Sequence, residues 1–172
     1  RIYRHDGFAG DRQVSIDSTA QIHPSAVVEP GARIGAGCEI GPFCWIGPHV
    51  ELAENVVCSS HVVIRGQTKV GSDTRIFSFA VIGEIPQDLK FKGEVSQLKI
   101  GKGNTIREHV TINLGTQGGG GVTSIGDDCL LMAGCHIAHD ARLGNRVIIV
   151  NSAAIAGHVI IEDEVIVGGL CG

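Results

Sequence analysis

The chain has 172 residues, a length that fits one domain or one array of repeats with a sizeable buried core. Glycine is abundant at 25 residues and aromatic residues make up only 4%, so we expect a core of small aliphatic side chains. The formal net charge of −4 argues against sequence-independent binding to nucleic acid, which needs a basic surface. No apolar run approaches the roughly 18 residues of a membrane span, so no integral membrane segment is expected.

Residues 1–13 are polar and lack the apolar stretch of a signal peptide, so they are predicted to be a flexible lead-in. Residues 14–172 are predicted to form a single domain. The six cysteines show no spacing typical of a zinc motif. We expect them to be free thiols in a reducing compartment, which indicates a cytoplasmic protein.

An aliphatic or equivalent small apolar residue recurs every six positions. The first frame runs from Ile16 to Ile82 and resumes from Ile100 to Ile112, and a second frame runs from Ile125 to Val167. A period of six does not fit an α-helix, and dense glycine also opposes helix. The pattern predicts an all-β fold in which three short strands form one coil of about 18 residues, and stacked coils make a parallel β-helix. Cys38, Cys44, Cys129 and Cys135 lie two positions before an aliphatic residue and Cys58 occupies an aliphatic position, so all five are predicted to point inward.

Two segments interrupt the repeat. Extending the first frame past Ile82 would bury Asp88 and Glu94 unpaired, so we predict a loop excursion near 84–98. A second excursion is predicted near 113–123, around a run of four glycines. Loops on a rigid scaffold commonly carry functional sites, although neutral insertions are the alternative interpretation.

A polar cluster is predicted where residues 18 apart stack. His139 should lie over Gly157 and Asp140 over His158, with His136 close by. A histidine beside a carboxylate suits general-base catalysis, and the Gly157 N–H could stabilise an oxyanion. Three histidines at neighbouring corners could instead hold Zn²⁺, and solvated surface histidines are the third possibility. The spacing does not separate these alternatives. The remaining histidines are interpreted as solvated or turn residues: His5, His23, His49, His61 and His109.

Several strings resemble the UDP-N-acetylglucosamine O-acyltransferases of lipid A biosynthesis, which are hexapeptide-repeat acyltransferases. The matching strings are IHPSAVV, IGPFCWIGPHVE, IGEIPQDLKFKGE, IREHVTIN, HIAHD and IAGHV, and the resemblance runs from about Ile16 to the last residue. It implies a left-handed β-helix and transfer of a 3-hydroxyacyl group from acyl carrier protein to the 3-hydroxyl of UDP-N-acetylglucosamine. It also implies a homotrimer with active sites between neighbouring subunits, and neither a cofactor nor a metal ion.

The resemblance implies a role for each matching residue. His139 matches the general base, Asp140 the carboxylate that orients it, and Gly157 the backbone N–H that faces the thioester oxyanion. The positions that match the substrate cleft are Gln87, Asp88, Lys90, His136 and His158. Two departures stand out. Leu114 replaces an arginine that is frequent in the family, and the sequence stops inside the β-helix, before the family's remaining coils and its helical C-terminal domain. We therefore expect a truncated catalytic core, which the truncation could leave inactive.

Three other functions stay open at this point. The first is a zinc enzyme resembling the γ-class carbonic anhydrases, against which the spacing of His136 and His139 and the QDLK string both count. The second is a non-catalytic β-helix fragment that only trimerises. The third is a related amino-sugar N-acyltransferase, and the QDLK string favours the O-acyltransferase over it.

Overall fold

The computed structural model describes residues 14–172, so the predicted lead-in at 1–13 lies outside the described residues. Within residues 14–172 the chain forms 23 short strands in three parallel sheets, with eight, eight and seven strands. Successive strands along the chain visit sheets A, B and C in turn, so every three strands complete one coil of a triangular prism. This is the predicted left-handed parallel β-helix, and the fold prediction is confirmed.

Sheet A contains β1 Ser15–Ile16, β4 Arg33–Ile34, β7 Glu51–Leu52, β10 Gln67–Val70, β13 Gln97–Ile100, β16 Val122–Ile125, β19 Arg142–Leu143 and β22 Ile160–Ile161. Sheet B contains β2 Gln21–Ile22, β5 Glu39–Ile40, β8 Val57–Cys58, β11 Arg75–Ile76, β14 Thr105–Ile106, β17 Leu130–Leu131, β20 Ile148–Ile149 and β23 Ile166–Val167. Sheet C contains β3 Val27–Val28, β6 Trp45–Ile46, β9 Val63–Ile64, β12 Val81–Glu84, β15 Thr111–Asn113, β18 His136–Ile137 and β21 Ala154–Ile155. A short 3₁₀ helix, Gln117–Gly119, lies between β15 and β16.

The core has the two inward columns that the six-residue repeat predicts, one of aliphatic residues and one of small residues two positions before them. The aliphatic column is fully buried at Ile46, Ile76 and Ile137, and the small column is equally buried at Cys38 and Cys135. All six cysteines are free thiols and five are buried, as predicted. Burial raises the pKa of the Cys135 thiol to about 12, so this cysteine behaves as a small hydrophobic residue.

Both excursions leave the prism at the same corner, where sheet C turns into sheet A. The first spans 85–96 and the second spans 114–121. Each is slightly shorter than predicted because the adjoining strands extend toward it, and the inward-facing Leu98 and Thr123 continue the core there. Residues that stack in neighbouring coils are elsewhere 18 positions apart in the sequence. Across the first excursion this separation is 30 positions, and across the second it is 25.

A ladder of aromatic rings follows the corner between sheets B and C. Phe43, His61, Phe79 and His109 occupy turns with positive φ, and their successive ring centroids lie 5.0, 4.9 and 5.2 Å apart. His61 and His109 are therefore turn residues, as interpreted, but they are also stacked between or against phenylalanines. None of the helices within residues 14–172 is long and apolar enough to cross a membrane.

Candidate active site

The predicted polar cluster lies at the corner that carries both excursions. The inward side chain of Ile137 in β18 directs His136 to the outer face of sheet C, and the turn that follows presents His139 and Asp140. Asp140 adopts φ = 60°, a left-handed conformation that aspartate tolerates better than most residues. The repeat therefore determines where these side chains emerge from the prism.

Asp140 is a buried carboxylate with several hydrogen-bond donors. Its side chain is only 1% exposed, and His139 Nδ1 lies 2.9 Å from its Oδ2. The Thr116 N–H donates to Oδ1 at 2.9 Å, and the Thr116 hydroxyl donates to Oδ2 at 2.6 Å. Burial by itself raises the pKa of Asp140, but these donors from Thr116 and His139 outweigh it and hold the pKa below its ordinary value. Asp140 is therefore an anion at neutral pH.

The His139 tautomer follows from this contact. A carboxylate anion only accepts hydrogen bonds, so the proton in the bond to Asp140 belongs to His139 Nδ1. In the neutral ring Nε2 then carries the lone pair. The ring is 16% exposed, so it is held by the protein yet reachable from outside. The geometry is that of a base oriented by a buried anion.

Gly157 lies against the face of His139, as the 18-residue register predicts. A Cβ at Gly157 would lie 2.7 Å from His139 Cε1 and 2.8 Å from Nε2, so a side chain there would displace the ring. Among the residues that the structure describes, the Gly157 N–H donates to no protein acceptor. His158 follows it, and its ring meets that of His139 edge to face at a centroid distance of 5.1 Å.

His136 is held separately from the His139–Asp140 pair. Its Nδ1 lies 2.7 Å from the Thr111 hydroxyl on the neighbouring strand of sheet C. Burial, together with the charge of nearby His139, lowers the pKa of His136, which favours its neutral form.

An open cavity of about 770 Å³ lies between the two excursions and brings Asp88, Lys90 and His158 together. Lys92 and Glu94 of the first excursion also line it, and Thr116 of the second excursion lines it as well. Gln87, which was predicted with them, is exposed and does not line this cavity. Asp88 accepts the Lys90 N–H at 2.9 Å, and Glu94 accepts the Lys92 N–H at 2.8 Å, so both carboxylates shape the first excursion.

The cluster also contains the groups that a metal ion could use. Ligand atoms of His139, Asp140 and His158 all lie within 4.8 Å of one another. However, both Asp140 oxygens already accept hydrogen bonds, and His139 directs Nδ1 at Asp140 rather than at a shared centre. The three-histidine alternative is not favoured either, since the candidate ligand group within residues 14–172 does not include His136, whose Nδ1 contacts the Thr111 hydroxyl. The geometry therefore fits a base–carboxylate pair better than a zinc centre.

One residue near the site, Thr116, was not identified as functional from the sequence. Thr116, at the start of the glycine run, contacts Asp140 across 24 positions. The sequence pattern that could have indicated it is a hydroxyl residue directly before a glycine-rich turn, which is typical of a helix N-cap. Leu114, where the family frequently has arginine, is 7% exposed and lies beside Gly66, so this position supplies packing here instead of charge.

Comparisons with known proteins agree with the fold. A family model described as bacterial transferase hexapeptide (six repeats) matches residues 13–48, 25–60 and 123–157. The acyl-[acyl-carrier-protein]–UDP-N-acetylglucosamine O-acyltransferase of Paracoccus denitrificans (strain Pd 1222) is 65% identical over 97 residues, which are 56% of this chain and 37% of that protein.

Solved structures extend the similarity over most of the chain. The UDP-N-acetylglucosamine acyltransferase from Campylobacter jejuni is 46% identical with a TM-score of 0.84, over 87% of this chain and 58% of that one. The Arabidopsis UDP-N-acetylglucosamine acyltransferase is 35% identical with a TM-score of 0.69, over 86% and 59%. The chain thus spans less than two thirds of the length of these relatives. The repeats of this chain match the bacterial transferase hexapeptide model, and its β-helix is homologous to those of the UDP-N-acetylglucosamine acyltransferases.

Proposed function

We propose that this β-helix carries the catalytic site of an acyltransferase that moves a 3-hydroxyacyl group from acyl carrier protein to the 3-hydroxyl of UDP-N-acetylglucosamine, the first step of lipid A biosynthesis. The observation that carries the proposal is the His139–Asp140 pair, in which a buried anion orients a reachable imidazole. The names of the homologous proteins supply the substrates.

In this mechanism His139 Nε2 removes the proton from the sugar hydroxyl as its oxygen attacks the thioester carbonyl carbon. A C–O bond forms, and negative charge develops on the former carbonyl oxygen, where the Gly157 N–H can donate to it. The C–S bond then breaks, and protonated His139 returns the proton to the departing sulfur. General-base and oxyanion contributions of this kind are each typically worth about 10²-fold or more in rate.

The roles of the cavity residues follow from their charge and position. Lys90 and His158 are suited to the pyrophosphate of a nucleotide sugar, and Asp88 is suited to a sugar hydroxyl. A homotrimer is part of the proposal, since a neighbouring subunit would close the open side of the cavity and could bring Gln87 to it. The proposed location is the cytoplasm, where both acyl carrier protein and nucleotide sugars are found.

The test is acyl transfer by the full-length natural protein containing residues 14–172. His139→Ala should reduce kcat by at least about 10²-fold, because the base is removed. His23→Ala is the matched control, since the His23 side chain is exposed in the turn after β2 and bonds only to Ser25. Turnover of His139→Ala close to that of the control would rule out His139 as the base.

Metal removal separates the zinc alternative. Protein treated with EDTA and freed of metal should keep its transfer activity. Elemental analysis of the untreated, purified protein should find no stoichiometric zinc. If the non-catalytic alternative were correct, UDP-N-acetylglucosamine would not raise the Tm, whereas we expect it to do so by binding the folded state.

A further inference from the structure

The second excursion and the strand that follows it hold Asp140 through three residues, Thr116, Gly119 and Thr123. The Thr116 hydroxyl and N–H both donate to its carboxylate, and the Thr123 hydroxyl, just after the excursion, accepts its backbone N–H at 2.8 Å. Gly119 covers the carboxylate so closely that a Cβ there would overlap Asp140 Cγ. Asp140 is therefore fixed by a segment that the 18-residue repeat does not supply.

From this arrangement we infer that Thr116 is a positioning residue: it holds the Asp140 carboxylate in the orientation that keeps His139 in its Nδ1–H tautomer with Nε2 directed outward. This inference rests on the proposed function for its effect on catalysis. Thr116 does not touch the reacting atoms in the proposed mechanism. It acts through Asp140, and Asp140 acts through His139.

The geometry leaves little freedom for the carboxylate once Thr116 is in place. Oδ1 accepts the Thr116 N–H, and Oδ2 accepts both the Thr116 hydroxyl and His139 Nδ1. The hydroxyl in turn accepts the Gly119 N–H at 3.2 Å, and the Gly121 N–H donates to the Thr116 carbonyl oxygen at 2.7 Å. The glycine run thus closes a compact turn whose first residue faces the carboxylate, which explains why the glycines follow Thr116.

Apart from Thr116 and His139, no residue within 14–172 forms a hydrogen bond to the Asp140 carboxylate. His158 Nδ1 lies 3.9 Å from Asp140 Oδ2, too far for a hydrogen bond, and the His158 side chain is 58% exposed. Without the Thr116 hydroxyl, Oδ1 keeps the Thr116 N–H but Oδ2 loses a donor, so Oδ2 is free to shift from His139 toward His158. His139 would then lose the partner that selects its tautomer.

The first experiment uses nuclear magnetic resonance on the folded protein without substrate. Thr116→Val should raise the pKa of Asp140 and convert His139 from the Nδ1–H tautomer to a mixture, whereas Thr116→Ser should preserve both. Gly119→Ala should have the same effect as Thr116→Val by displacing the carboxylate, and Gly118→Ala should have none, because a Cβ at Gly118 meets open space. An unchanged tautomer in both Thr116→Val and Gly119→Ala would overturn the inference; if Thr116→Val does not fold, Gly119→Ala decides.

The second experiment measures acyl transfer by the same variants of the full-length protein. Thr116→Val should lower kcat by about 10- to 100-fold with little change in the KM for UDP-N-acetylglucosamine, and Thr116→Ser should restore most of it. Failure of Thr116→Ser to restore kcat would contradict a positioning role. If the wild-type protein transfers no acyl group but the tautomer still depends on Thr116, the positioning inference stands and the proposed function falls.

Discussion

Gly157→Ala is expected to damage the site through a single added carbon atom. The new Cβ would lie 2.7 Å from His139 Cε1, whereas carbon atoms pack at about 3.5 Å or more, so the ring must retreat by roughly 0.8 Å. His139 Nδ1 is tied to Asp140 at 2.9 Å, so the retreat strains or breaks that bond. A misplacement of about 1 Å typically costs around 10²-fold in rate, which is the loss that we predict for kcat.

Folding should suffer much less than catalysis. Gly157 does not have the positive φ that penalises alanine, and Gly→Ala favours folding by roughly 0.4–1 kcal/mol through the unfolded chain. Loss of a hydrogen bond to a charged group costs about 1.5–3 kcal/mol, so the free energy of unfolding should fall by only about 1–2 kcal/mol.

The assay compares kcat and urea unfolding of Gly157→Ala with those of the wild-type protein, both at full length. Alanine keeps the backbone N–H, so any loss of activity must come from the side chain. Turnover of Gly157→Ala within a few-fold of that of the wild-type protein would refute the packing argument.

Three further predictions concern pH and stability. Asp140→Asn should lower the free energy of unfolding by about 1–3 kcal/mol at pH 7. The folded pKa of Asp140 is depressed, so this difference between variant and wild type should be complete above about pH 4 and should disappear as the pH falls through the folded pKa. Urea unfolding at several pH values measures it. His136 should titrate below the ordinary value near 6.5 by nuclear magnetic resonance, because burial favours its neutral ring; a midpoint above 6.5 would contradict this. Phe79→Ala should lower the Tm more than Phe43→Ala, because Phe79 stacks on two histidines at about 0.5–1.5 kcal/mol each and Phe43 on one; equal shifts would argue against the ladder.

The sequence was sufficient to predict the fold and the His139–Gly157 contact because a β-helix repeats with a constant offset. Once Ile137 and Ile155 are assigned to the same inward column, the residues that follow each of them must stack. The same arithmetic would have found the aromatic ladder, since Phe43, His61 and Phe79 are also 18 apart. It was missed because exposed turn residues were judged one at a time.

The partner of Asp140 could not be found in this way. Thr116 belongs to an excursion that raises the stacking offset to 25, and the path of such a loop depends on its own turns and not on the repeat. A hydroxyl before a run of glycines predicts a tight turn but not what the turn will contact. The placement of Gln87 outside the cavity has a similar cause, because the path of the first excursion follows no repeat.

A double-mutant cycle tests most directly the central claim, that His139 and Asp140 act as one unit. The kcat of full-length His139→Ala, Asp140→Asn and the double variant would be compared with that of the wild-type protein. Because Asp140 acts only through His139, the double variant should be no slower than His139→Ala. Losses that multiply in the double variant would show that the two residues act independently and would contradict the account.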